Sequence, residues 1–349
     1  MTSRFKYLFL ILILIFTISA CDSNSTVEIL IEKDDSFDKF CKSNNFNGSI
    51  LVADDGEIVL KKGYGFADYE KKIPNTPDTI FGIASLTKQF TAVGIMMLNE
   101  RGALNVSDTI DKYIPGYPNG DKITIHNLLT NTSGIAEYIN EELLKGTKHY
   151  SPTNLINVFK DKPLNFNPGE RFEYSNSNYA LLGYIIEKVS NMKYEDFVKE
   201  NIFIPLKMKD TGYDHNKELP KKAIRYKYLN AVMYAKADYI NMSTAYSAGA
   251  LQSTIEDLYR WDQALYTNKL LDKESMNKMF TPFLDSYGYG WFIIKPGKKP
   301  IMQHMGTIDG VRALIYRNVE LKQTIIILSN NTATDRIKIK DKIMSLLGN

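Results

Sequence analysis

Apolar positions along this 349-residue chain change their spacing from region to region. Tyr7 to Phe16 is an unbroken apolar run preceded by Arg4 and Lys6. It is too short to span a bilayer comfortably. A polar stretch at Asp34–Ser43 can open a helix. Two strand-like runs follow, Gly48–Asp54 and Glu57–Phe66, with Asp55-Gly56 between them as a hairpin signal. From about residue 80 to 280 the spacing is mostly helical with long loops. Leu86, Phe90, Val93 and Met97 fall on one helical face, and Gly102 is placed to end that helix. Strand signals return at Gly288–Lys295, Arg312–Arg317 and Gln323–Ser329. Pro296-Gly297 and Asn318–Lys322 punctuate the gaps, and Thr334–Leu347 reads as a last helix.

Strands therefore sit at both ends of the chain with helices between them. The economical arrangement is an α/β fold of the α+β type. A mainly antiparallel sheet from both chain ends is flanked by helices and carries a large inserted helical lobe, about residues 100–280. One catalytic-sized domain over 36–349 is expected, with a functional cleft at the seam between sheet and lobe. No internal repeat is visible.

Composition narrows the class. With 44% apolar, 12% aromatic and 24% charged residues, the chain is an ordinary globular protein. Net charge is +3, and two of those charges, Arg4 and Lys6, belong to the leader. A nucleic-acid partner is not expected. Two cysteines, Cys21 and Cys41, exclude a disulfide framework. Residues 1–20 have signal-peptide anatomy, and Ile18-Ser19-Ala20-Cys21 resembles a bacterial lipobox. The expectation is a leader over 1–20, lipid attached to Cys21 and a polar tether over 21–35. That places the protein on the extracytoplasmic face of the cell membrane, held by its lipid. Cys41 then has no partner and reads as a buried small hydrophobe.

Three short motifs carry chemistry. Ser85-Leu-Thr-Lys88 is one of five S-x-x-K strings in the chain. It opens the helical pattern, so its serine lies in the positive field of a helix N-terminus. Lys88, three residues on, lies on the same face. An amine beside the hydroxyl is the help a serine nucleophile needs. From spacing alone, an N-cap serine followed by a solvent-facing lysine is the plainer reading. Tyr174-Ser-Asn176 is one of seven Y-x-N strings. A tyrosine near Lys88 would lose its proton more easily and serve as general base. Asn176 would orient the lysine or hold a substrate carbonyl. His304-Met-Gly306 is the single H-x-G string, at a strand edge, where glycine lets a substrate approach the backbone.

A serine motif first, Tyr-Ser-Asn 89 residues later and H-x-G 130 after that resembles the motif order of serine β-lactamase-like hydrolases. That family includes class C β-lactamases, D-alanyl-D-alanine carboxypeptidases, D-aminopeptidases and certain esterases. Leu128-Leu-Thr-Asn-Thr-Ser-Gly-Ile135, Ser247–Ser253 with Asp257-Leu258, and Tyr287-Gly-Tyr-Gly-Trp291 are similar to it too. The resemblance implies a penicillin-binding-protein-like transpeptidase fold. It makes Ser85 the acylated nucleophile, with Tyr174 and Lys88 taking its proton. The backbone N–H groups of Ser85 and Thr307, the latter after Gly306, would hold the oxyanion. Asn176 would contact the acyl amide, and His304 would bind a substrate carboxylate or assist proton transfer. The family's usual lysine in K-T-G is absent here. A peptidase or esterase role therefore ranks above an efficient β-lactamase. The substrate would be a small molecule or peptide, with peptidoglycan stem peptides the natural candidate. No cofactor or metal is expected.

Two other classes compete. A Ser-His-Asp α/β-hydrolase would need a G-x-S-x-G elbow, which the sequence lacks. A metalloenzyme would need ligand spacing that His126, His149, His215 and His304 do not have. The non-enzyme rival is a penicillin-binding-like sensor that is acylated without turnover.

Overall fold

A computed structural model describes residues 35–230 and 233–348 of the chain. The leader over 1–20, Cys21 and the tether up to residue 34 lie outside the described residues. Helix α1, Asp35–Ser43, is followed by the hairpin β1, Gly48–Asp54, and β2, Glu57–Tyr64. Their turn has Asp55 at φ 47° and Gly56 at φ 83°, the pair of left-handed residues that matches the twist of an antiparallel hairpin. A two-residue strand β3, Phe81–Gly82, leads through a 3₁₀ turn at Ala84–Leu86 into helix α2, Thr87–Glu100. The inserted lobe contains α3, Ile125–Leu129, α4, Asn176–Ser190, α5, Met242–Gly249, and several shorter helices. The strand β4, Leu251–Ser253, pairs with β3 and returns the chain to helix α6, Ile255–Ala264. Then come β5, Phe292–Lys295, β6, Ile301–Ile308, β7, Val311–Asn318, β8, Gln323–Ser329, and the final helix α7, Arg336–Leu346.

The main sheet has the order β5-β6-β7-β8-β1-β2, and each neighbouring pair is antiparallel. It is built from both chain ends, as the pattern predicts. Alternation within the central strands explains the layering. Ile325, Ile327 and Leu314 face α1 and α7, where they pack with Phe37, Cys41, Ile339 and Ile343. Ile326, Leu328 and Ile315 face the other way, into the core shared with α2 and the lobe. Strand β8 is buried throughout, as a central strand covered on both faces must be.

Three expectations need correction, and each bears on the site. Helix α2 is not amphipathic: every residue from Thr87 to Leu98 is buried, because α4, α5 and the short helices Tyr194–Val198 and Lys273–Met279 pack around it. Lys88 is therefore not solvent-facing. Strand β6 is one that the hydrophobic pattern misses. Gln303, His304 and Gly306 interrupt its apolar character, yet Met302, His304 and Gly306 form its buried face with an ordinary period of two. His304 thus lies inside a strand, not at its edge. The expected strand over Gly288–Lys295 begins only at Phe292. Gly288–Trp291 is a turn closed by the Gly288 N–H donating to the Trp291 carbonyl at 2.8 Å. Tyr287, Tyr289 and Trp291 are tucked beneath it.

Candidate active site

Ser85 lies on the 3₁₀ turn that precedes α2, two residues before the helix proper. Ala84 just before it holds φ 46°, a left-handed conformation that L-residues adopt at a cost of ~1 kcal/mol or more. Strand β6 runs against this turn. A Cβ on Gly306 would sit 2.2 Å from the Ile83 carbonyl oxygen, so only glycine lets the strand approach so closely. Close approach brings β6 alongside the Ala84–Leu86 turn that carries Ser85.

Lys88 reaches the Ser85 hydroxyl from below. Its Nζ lies 3.2 Å from Ser85 Oγ, 2.7 Å from Asn176 Oδ1 and 2.8 Å from the Ala248 carbonyl oxygen. The rings of Tyr174 and Tyr179 have their centres 4.9 and 5.5 Å from it. The Ala248 carbonyl is turned inward by a kink in α5, where Tyr246 has φ 40° and ψ −137°. Lys88 is fully buried. Burial drives its pKa down to about 7, with the charge of Glu137 opposing the change. The environment thus brings the neutral amine within reach of ordinary pH.

Tyr174 sits on the loop before α4. Asn131 braces that loop: its carbonyl accepts from Glu173 N at 2.9 Å, and its Oδ1 accepts from Ser175 N at 3.2 Å. The Tyr174 phenol neighbours Ser85, but burial first, and the charge of Glu137 as well, push its pKa well above the usual phenol value; the contact with Ser85 only partly opposes this. This reverses the expectation that Lys88 would ease Tyr174 toward phenolate. Desolvation acts on both groups and disfavours both charged forms. The pair is left as a neutral phenol beside an amine.

The structure brings Ser85, Lys88, Tyr174 and Asn176 into one cluster, with His304 across from Tyr174 at 6.3 Å between ring centres. The proposed carboxylate role of His304 does not fit its surroundings. Nδ1 lies 2.9 Å from the Met305 carbonyl oxygen, and Nε2 lies 3.2 Å from the Tyr287 hydroxyl. Burial, with repulsion from Lys88, lowers its pKa to about 3. A neutral ring with both nitrogens engaged is a poor anion anchor. A cation stands elsewhere: Arg336, at the start of α7, donates through Nη2 to Thr307 Oγ1 at 2.9 Å. Its Nε is buried without a hydrogen-bond partner among the described residues. Burial and the neighbouring Arg312 bring its pKa down to about 10, so it stays protonated at neutral pH.

Four contributors were not assigned from sequence: Glu137, the Ala248 carbonyl, Tyr287 and Arg336. Tyr287 and Ala248 lie in strings that resemble the family, but nothing local marks their roles. Arg336 is far along the chain from the site and looks like any basic residue on a terminal helix.

The match to known proteins follows this geometry. A family model described as Beta-lactamase covers residues 37–347. The chain belongs to the beta-lactamase family. Proteins built on this fold are generally serine hydrolases. The chain is 35% identical over 323 residues to a putative penicillin-binding protein PbpX of Bacillus subtilis, covering 91% of this chain and 79% of that one. Identity with penicillin-binding protein 4* of the same organism is 32% over 317 residues, covering 84% and 70% of the two chains. Among solved structures, a penicillin binding protein from Bacillus halodurans superposes with a TM-score of 0.80 at 27% identity, covering 89% of this chain and 98% of that one.

Proposed function

We propose that this protein is an envelope-anchored serine hydrolase that forms an acyl-enzyme on Ser85. Its substrates are amides or esters of the D-amino-acid peptide class, and peptidoglycan stem peptides are the natural example. The supporting observation is the buried Lys88 amine, 3.2 Å from Ser85 Oγ and hydrogen-bonded to neutral oxygens. Neutral Lys88 takes the Ser85 proton as Oγ bonds to the substrate carbonyl carbon. The resulting oxyanion is held by the backbone N–H groups of Ser85 and Thr307, donors worth about 3 kcal/mol each in comparable sites. The proton on Lys88 passes to the departing amine or alcohol, with the Tyr174 phenol as relay. Water then repeats the sequence, giving its proton to Lys88 and releasing the acid. Asn176 Oδ1 holds Lys88 in place throughout. A substrate carboxylate would meet Arg336 beside Thr307, not His304.

Anchoring rests on the leader and on Cys21. A Cys21→Ala chain should leave the membrane fraction, and wild type should incorporate labelled palmitate where the variant does not. The reaction is tested with a fluorophosphonate and a substrate panel on the mature domain. The panel holds nitrocefin, a D-Ala-D-Ala peptide, a D-amino-acid amide and a short acyl ester. Labelling should map to Ser85 and vanish in Ser85→Ala, with turnover of the peptide, amide or ester exceeding that of nitrocefin. Labelling that persists in Ser85→Ala removes the nucleophile assignment. A single burst without turnover on every substrate turns the reading to a sensor.

A further inference from the structure

We propose that Glu137 is a positioning residue for this reaction: it fixes the orientation of the Asn176 amide and, through it, the amine of Lys88. Glu137 Oε2 accepts from the Asn176 backbone N–H at 2.7 Å and from Asn176 Nδ2 at 2.9 Å. Its other oxygen accepts from Ile139 N at 2.7 Å. An ionised carboxylate accepts and cannot donate. The nitrogen of the Asn176 side chain must therefore face Glu137, which leaves Oδ1 facing Lys88 Nζ at 2.7 Å. With a partner able to donate in its place, the amide is free to flip and present N–H groups to the lysine.

The same carboxylate also acts on Lys88 through its charge. The groups around the amine come from every element packed on it: Ser85 on its own turn, Tyr174 from the loop before α4, Tyr179 from α4, the Ala248 carbonyl from α5 and His304 from β6. Within this set the hydroxyls and phenols are neutral, and His304 is neutral too. Glu137 supplies the negative charge that opposes desolvation of the amine. Removing it should let Lys88 shed its proton at lower pH, and an Asn176 flip acts in the same direction by taking away an acceptor.

This rests on Lys88 being the base, as proposed above, so the experiment separates the two claims. Ser85 phosphonylation by a fluorophosphonate, in which Oγ bonds to phosphorus and fluoride leaves, is followed from pH 5 to 9 in the wild type, Glu137→Gln and Glu137→Asp, with thermal melting as the check on folding. The wild type should show a rate rising through about pH 7. Glu137→Gln should move that rise to lower pH by about half a unit or more and lower the plateau by about tenfold. Glu137→Asp keeps the charge but not the reach, so its rise should stay in place while its plateau falls. A wild-type rise that Glu137→Gln leaves where it was overturns the proposal alone. So does a Glu137→Asp plateau equal to wild type. A wild-type profile without a rise between pH 6 and 8 overturns the role of Lys88 and this proposal with it.

Discussion

Among the described residues two basic side chains, Arg317 and Lys88, are fully buried, and their surroundings differ in one respect that bears on what each can do. Arg317 on β7 bonds through Nε to Asp262 Oδ1 at 2.6 Å, and both side chains have no exposed surface. The other Asp262 oxygen is taken by Thr324 Oγ1 at 2.7 Å, and the guanidinium lies over the Tyr266 ring at 4.5 Å. Helix α6 is thereby tied to the sheet by a cation paired directly with a carboxylate. Lys88 is equally buried but touches only neutral oxygens, and its nearest acid, Glu137, acts through Asn176. A carboxylate in contact would hold the charge and end its use as a base. Neutral acceptors hold the position of the amine and leave its proton transferable.

Breaking each site should have opposite consequences. Lys88→Met removes the proposed base, and Ser85 acylation should fall by about 10³ or more, equivalent to about 4 kcal/mol of barrier. Stability should shift by no more than about 1 kcal/mol, because relief of a buried amine offsets two stranded acceptors. Acylation kinetics and a urea titration check both halves. Asp262→Asn should do the reverse. It strands a buried guanidinium and should cost about 3–5 kcal/mol of stability, with per-molecule acylation retained in the folded fraction.

Smaller effects sharpen the contrast. Gly306→Ala sets a Cβ 2.2 Å from the Ile83 carbonyl oxygen. It should cost about 1–3 kcal/mol and lower acylation by shifting the Ser85 turn, both measurable on the purified variant. His304 offers a test by pH. Its pKa falls from 6.5 to about 3 on folding, so the unfolded chain binds the extra proton first. The stability that it contributes is present above pH 6.5 and is lost as pH falls toward 3. His304→Gln should flatten that part of the stability–pH curve, read by urea titrations at pH 7, 5 and 4. Lys88 follows the same logic in another window: its contribution is present above 10.5 and lost as pH falls to about 7.

Most of the sheet was legible because its central strands are short apolar runs rich in Ile, Leu and Val, and its hairpin turn is Asp55-Gly56. Ser85, Lys88, Tyr174 and Asn176 were legible because their motifs stand in an order that resembles a family, not because spacing alone distinguished them. Strand β6 was not legible, since its buried face includes His304 and Gly306, residues placed there for the site and not for the core. The direction of the Tyr174 and His304 shifts was also hidden. It depends on how completely neighbouring elements exclude water, and no local pattern encodes that. Glu137 and Arg336 matter through partners 39 and 29 residues away, a distance at which a single sequence carries no signal.

The central claim is that folding alone converts Lys88 from an ordinary lysine into a base near neutrality. Selective ¹³Cε labelling of lysine with an NMR titration from pH 5 to 11 measures this directly. One lysine resonance should titrate with a midpoint at about 7 and be missing from Lys88→Met. A protein in which every lysine titrates near 10 or above would contradict the account.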